Sequence, residues 1–327
     1  MKRIRLTTLY LLLLCFCSAQ GRTRIVFTPT WTPQAQFAGY YMALEKGFFK
    51  EEGVDVTIRH LKANTKKTPC DMLEDGDCNV VCISLMKALL ERDNGRPLIN
   101  ILQTSQNASL LCVSPDPLKN LHSLNGKKLG TWKTGYREIA DMALYDSKTQ
   151  VQWVPFLYGV NLFVAKAVDA TLCCSYNEYV QLVMARGSIP SNHIISFAQI
   201  GYNYPEDGVY VTEDFYNRHR PEIVAFVRAC KKGWQYCRAH PDEAIEVVMR
   251  YTKANNIVTN RFHQRMMLAE ILRLQQDPSS AWAYKSGIST FAPVSPSTFK
   301  KALENLRKIG RIKGEIKYED MIKPVKH

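Results

Sequence analysis

The stretch TRIVFTPTWTPQAQFAGYYMALEKGFFKEEGVDVTIRH, residues 23 to 60, decides the fold. Thr23 to Thr28, with the apolar run Ile25–Phe27, reads as a strand. A loop rich in Pro and Gln follows, from Pro29 to Gln36. Phe37 to Lys46 carries the apolar spacing of a helix, and Gly47 stands in the C′ position that ends one. Val54 to His60 alternates apolar and polar residues, the period of a second strand. Strand, loop, helix and strand in this order make a unit that joins parallel neighbours through a right-handed crossover.

The same order recurs downstream. Asn79–Ser84 reads as a short buried strand, Leu85–Arg92 as a helix and Leu98–Thr104 as a strand. Asn107–Val113 continues extended until Pro115 and Pro117 break it. A second series follows: strand Lys128–Trp132, helix Arg137–Tyr145, strand Val151–Pro155, helix Asn161–Ala167 and strand Ala170–Cys174. Ile194–Ala198 and Gly208–Thr212 are the last strands. Beyond Glu213 the pattern is helical, over Arg220–His240, Asp242–Tyr251, Asn260–Gln276 and Ser297–Ile309. Two alternating series predict an α/β chain of two parallel-sheet lobes with a ligand cleft. Residues 20–107 with 208–327 form the first lobe, and 112–204 form an inserted second lobe. The chain crosses twice between them, near Ser105–Leu111 and Tyr202–Gly208, and two crossings make a hinge.

Composition narrows the function. The chain has 327 residues, 46% of them hydrophobic, enough for two cores. Lys2, Arg3 and Arg5 precede the apolar run Leu6–Phe16, and Cys17-Ser18-Ala19 supplies small residues. Residues 1–19 therefore read as an export signal cleaved before Gln20, giving a periplasmic protein. Lipidation at Cys15 or Cys17, giving a membrane-anchored lipoprotein, is the alternative. The apolar run is shorter than the ~18 residues of a membrane span. Net charge is +13, and cleavage at this site leaves +10. The cations are scattered and match no nucleic-acid motif, so nucleic acid is not an expected partner.

Eight cysteines follow the signal: Cys70, Cys78, Cys82, Cys112, Cys173, Cys174, Cys230 and Cys237. Their spacings lack a CxxC pair, so no metal site is expected. Cys230 and Cys237 lie seven apart on a helix, about 10 Å of rise, too far to bridge each other. Cys70 and Cys78 flank a polar turn, where a bridge is sterically open. No phosphate-binding loop, nucleophile elbow, HExxH or dinucleotide fingerprint occurs. No catalytic group or cofactor is expected, and the chain does not read as an enzyme.

In open parallel sheets ligands bind outside the carboxyl ends of strands. The loop after the first strand presents Trp31 and Gln34, with Phe37 and Tyr40 on the helix behind it. Anchoring that helix is the competing role for its aromatics. Ser84 ends another strand and opens a helix, as ligand contact or as N-cap. Gln106 lies at the first crossing. Trp132 and Thr134 end the first strand of the inserted lobe; capping is the competing role for Thr134. Tyr176, Asn177 and Glu178 follow the strand Ala170–Cys174. There a carboxylate facing the cleft accepts N–H groups of an amino-heterocycle, or else lies solvated in a first helical turn.

WTPQAQFAGYYMALEKGFFKEEGVDVTI (Trp31–Ile58) resembles the opening signature of proteins that bind thiamine pyrimidine precursors. These are relatives of the sulfonate- and riboflavin-binding components of ABC importers. LNGKKLGTW (Leu124–Trp132), AVDATLCCSYNEY (Ala167–Tyr179) and YPEDGVYVTEDFY (Tyr204–Tyr216) support the resemblance. It implies the type II periplasmic-binding-protein fold, and a monomer that captures a small pyrimidine-like molecule and passes it to an importer permease. A sulfonate or riboflavin-type ligand is the alternative. The fungal pyrimidine synthases of the same superfamily, which consume an active-site histidine and pyridoxal phosphate, are the enzymatic one. Lys87 stands where that histidine falls, and Ile200–Pro205 lacks their cysteine-rich run.

Overall fold

The computed structural model describes residues 23–62, 67–133, 136–157, 159–276 and 291–325. β1 (Arg24–Pro29) leads through a loop and a 3₁₀ turn (Ala35–Phe37) into α1 (Ala38–Glu45). Gly47, at φ +76°, ends α1 and starts the short α2 (Phe48–Glu51). Only glycine takes that left-handed backbone without cost, so the chain turns there as the sequence predicts. β2 (Asp55–Ile58) follows. Next come α3 (Pro69–Glu74), β3 (Val80–Ile83), α4 (Leu85–Asp93) and β4 (Leu98–Gln103).

The second series comprises β5 (Leu110–Val113), β6 (Lys128–Trp132), α5 (Glu138–Asp146), β7 (Gln152–Phe156), α6 (Asn161–Val164), β8 (Ala170–Cys174), α7 (Glu178–Arg186) and β9 (Ile194–Ser196). β10 (Gly208–Thr212), α8 (Glu213–Arg218), α9 (Arg220–Ala239), α10 (Pro241–Ala254), α11 (Arg261–Leu274), α12 (Pro296–Lys308) and α13 (Tyr318–Met321) complete the chain.

The strands form two five-stranded sheets, in the orders β2-β1-β3-β10-β4 and β7-β6-β8-β5-β9. The first sheet takes its strands from residues 24–103 and 208–212, the second from 110–196. The expectation of purely parallel sheets needs correction. β10 runs antiparallel to β3 and β4, and β5 antiparallel to β8 and β9. Each is the first strand laid down after the chain passes from one sheet to the other. Such a strand enters without a crossover helix, so nothing forces it parallel.

Local sequence sets the helix starts. Ser84, Thr212, Asn260 and Ser295 accept hydrogen bonds from the backbone three residues on. Thr68 and Asp71 form a reciprocal capping box ahead of Pro69. α9 packs along α1, and the two backbones approach at Gly39 and Gly233. α11 and α12 reach across, contacting α7 and α5 of the second series.

All eight described cysteines are free and buried. The open Cys70–Cys78 bridge is not made: Cys70 lies inside α3, and burial pushes its thiol up to about 12. No described helix is long and apolar enough to cross a membrane.

Candidate functional site

A cavity of about 650 Å³ opens where strand ends of the two sheets face each other. Trp31, Thr32, Gln34 and Gln36 line it from the first loop, and Ile83, Ser84 and Lys87 from the β3–α4 junction. Trp132, Tyr136 and Phe156 line it from the second sheet, joined by Cys174, Tyr176, Asn177 and Glu178. Glu206 and Asp207, on the segment leading into β10, complete the buried wall.

The Trp31 loop is held from beneath. His60 shares a 2.7 Å hydrogen bond between Nδ1 and the Trp31 carbonyl, and a 2.8 Å bond between Nε2 and the Tyr41 hydroxyl. Burial pushes His60 down to about 4, so the ring is neutral at physiological pH and donates to the carbonyl. Gln34 Nε2 donates to Gln36 Oε1 at 2.6 Å, and Gln36 Nε2 donates to Asp207 Oδ1 at 2.9 Å. This relay ties the first loop to the second crossing.

The crossings are stapled together. Ser105 Oγ accepts the backbone N–H groups of Glu206 (2.8 Å) and Asp207 (3.0 Å). The Ser109 backbone N–H (2.6 Å) and hydroxyl (2.9 Å) both donate to Glu206 Oε1. Thr104 donates to the Asp207 carbonyl from its backbone (3.0 Å) and its hydroxyl (2.5 Å). Burial raises both carboxyls to about 7. Removing water penalises the charged form, and no cation is among the groups that shift either one.

Glu178 opens α7 and is buried. Its Oε1 accepts from Trp132 Nε1 (3.1 Å) and Asn177 Nδ2 (2.9 Å), and its Oε2 from the Cys174 N–H (3.1 Å). It is neither solvated nor free, since the carboxylate is largely spent holding the Trp132 ring in place. Desolvation is the largest influence on it and raises it, against these hydrogen bonds.

Of the residues expected at the cleft, Trp31, Gln34, Ser84, Trp132, Tyr176, Asn177 and Glu178 line the cavity. Ser84 both caps α4 and lines the wall. Phe37 and Tyr40 do not line it. Phe37 is fully buried in the core beside His60, and the Tyr40 ring packs on Phe27 and Trp234. Both lie on the inward face of the turn and helix they belong to. Gln106 is also off the wall, donating to the Ala292 carbonyl at 3.1 Å. Thr134 lies outside the described residues. The sequence does not single out Tyr136, Glu206 or Asp207. The PED triplet at the second crossing was the available signal, because acids at a hinge face whatever the hinge closes on.

Two α/β sheets joined by two crossings around a ligand-sized cleft define the type II periplasmic-binding-protein fold. The periplasmic aliphatic sulphonate binding protein SsuA of Escherichia coli matches over 92% of both chains, with a TM-score of 0.65 at 10% identity. The model of the NMT1/THI5-like family matches residues 34–244, and the chain belongs to that family. Among curated relatives, the riboflavin-binding protein RibY of Chloroflexus aurantiacus is 25% identical over 86% of this chain and 87% of its own. The formylaminopyrimidine-binding protein of Halalkalibacterium halodurans is 21% identical over 85% and 88%. The 4-amino-5-hydroxymethyl-2-methylpyrimidine phosphate synthase of Aspergillus parasiticus is 22% identical over 80% of each.

Proposed function

We propose that this chain is an exported solute-binding protein that encloses a small flat heterocycle, of the thiamine-pyrimidine type, and passes it to an ABC importer permease. The observation that carries the reading is the cavity itself: aromatic walls from both sheets with buried carboxylates between them. Aromatic faces take a flat ring, and carboxylates accept its N–H groups. The relatives named for riboflavin and formylaminopyrimidine binding support a planar nitrogen heterocycle. Residues 1–19 would direct export, and mature protein would begin at Gln20.

The relatives named as synthases support a second reading. It meets two obstacles. The described cavity wall has no histidine, and Lys87, ion-paired with Glu91 at 2.5 Å, stands at the start of α4.

Melting of the mature protein with a panel of compounds tests the function, since a ligand that binds the native state raises the midpoint. The panel is 4-amino-5-hydroxymethyl-2-methylpyrimidine, a formylaminopyrimidine, riboflavin and ethanesulfonate. A rise with a pyrimidine alone is expected. A rise with ethanesulfonate alone would reject the heterocycle reading. Trp31→Ala should weaken any flat ligand by about 0.5–1.5 kcal/mol beyond lost burial.

A further inference from the structure

Glu206 and Asp207 are neighbours in sequence and both are buried, but their surroundings differ. Glu206 has both oxygens engaged by Ser109. Asp207 has Oδ1 engaged by Gln36, and its Oδ2 has no partner in the described chain. The titratable groups facing Asp207 are Glu206, Tyr40, Cys82, Tyr136 and Tyr176, none of which carries positive charge. The Tyr136 hydroxyl lies on the same cavity, buried beside the Glu206 carboxyl, and makes no well-formed hydrogen bond. Tyr136 also holds φ +63°, a left-handed backbone that a tyrosine adopts only when its surroundings enforce it.

A buried carboxylate without a cation, beside a buried hydroxyl that makes no well-formed hydrogen bond, is a costly arrangement by itself. It becomes favourable once a ligand supplies donors and charge. We propose that Asp207 is the carboxylate that reads the ligand, and that the ligand is an amino-heterocycle held with its ring nitrogen protonated. The exocyclic amino group and the ring N–H present two donors on one edge, which suits a carboxylate oxygen and its neighbouring acceptors. Lys62, Lys67, Lys87 and Lys133 line the same cavity, but an anion such as a sulfonate seated against Asp207 meets like charge. This rests on the heterocycle reading above and adds the residue, the charge state and the excluded class.

The complex holds one proton between Asp207 and the ring. Near pH 6 the empty site already carries that proton on Asp207, since burial raises the carboxyl to about 7. Above that range Asp207 is ionised, and a neutral heterocycle must take a proton from solvent to bind. Affinity for an uncharged aminopyrimidine therefore falls as pH climbs past 7.

Calorimetry with 4-amino-5-hydroxymethyl-2-methylpyrimidine and with ethanesulfonate, at pH 6 and pH 8.5, tests this on the mature protein and on Asp207→Asn. Asparagine keeps the Gln36 bond through its carbonyl but turns a donor toward the ligand. The wild-type protein should bind the pyrimidine at least about tenfold more tightly at pH 6 than at pH 8.5. Asp207→Asn should bind at least about tenfold more weakly at pH 6, with the pH dependence gone and the ligand-free melting midpoint not lowered. Pyrimidine binding that is equal in both proteins, or that survives in the variant with its pH dependence, would overturn the role of Asp207 and leave the heterocycle reading standing. Binding of ethanesulfonate but not the pyrimidine by the wild-type protein would overturn both.

Discussion

His60 and the Glu206–Asp207 pair pull stability in opposite directions with pH. The two carboxyls have folded values near 7, above the ordinary carboxylate range of about 4. The folded state then binds protons more tightly than the unfolded one, so their contribution falls as pH climbs from about 4 to about 7. His60 is depressed to about 4, and its contribution is present above about 6.5 and lost as pH falls toward 4. Urea midpoints between pH 5 and 8 should show the difference: Asp207→Asn gains most over wild type at pH 8 and least at pH 5. An equal gain at both would mean that Asp207 is already ionised at the lower pH. Tyr136→Phe removes a buried hydroxyl that lies beside Glu206 but makes no well-formed hydrogen bond, so ligand-free stability should change by less than about 1 kcal/mol. The same change should weaken a ligand that uses the hydroxyl.

At the scale of elements, α1 and α9 cross with their backbones in close approach. A Cβ on Gly39 would lie 2.1 Å from the Trp234 ring, and one on Gly233 would lie 2.1 Å from the Gly39 carbonyl. Gly39→Ala should therefore lower stability by about 3 kcal/mol in a urea titration, because neither a helix backbone nor a buried indole can yield. The thiols make a second check. A thiol reagent should modify none of the described cysteines in the native protein and all of them after denaturation, since each is buried.

These elements also mark what could be read without coordinates. Lys128–Trp132, Ala170–Cys174 and Gly208–Thr212 agree residue for residue, because apolar runs bounded by turns leave little choice. α3 does not stand out in the sequence, although Thr68-Pro69-Cys70-Asp71 carries its capping box, because its 6 residues are too few to show a helical period. The antiparallel sense of β5 and β10 was illegible for a different reason: strand direction is a property of pairing and leaves no trace in local pattern. The site shows the same division. Trp31, Trp132 and Glu178 follow from position at strand ends. Asp207 sits in a loop segment, where an acid ordinarily reads as solvated; its burial arises only from the stapling of two distant crossings by Ser105 and Ser109.

Over the whole molecule the two crossings are expected to bend as the cleft closes, with the segments near Ser105–Leu111 and Tyr202–Gly208 as the hinge. Small-angle scattering should then give a smaller radius with a confirmed ligand than without. An unchanged radius at saturation would count against closure. Opening is not opposed by the crossings alone, because the C-terminal helices grip the far side: Ser175 donates to Glu270 at 2.6 Å, and Lys308 pairs with Asp146 at 2.5 Å. The place of β10 has a consequence for the order in which the chain can be built. β10 lies between β3 and β4, which do not touch each other, yet more than a hundred residues separate it from both. A growing chain that has not reached residue 208 holds a first sheet that lacks its fourth strand, the one that joins β4 to the rest. The half that is synthesised first is thus completed late, and until then β3 and β4 each expose an unpaired edge. Under the proposed export, in which the chain crosses a membrane before it folds, that delay is an advantage.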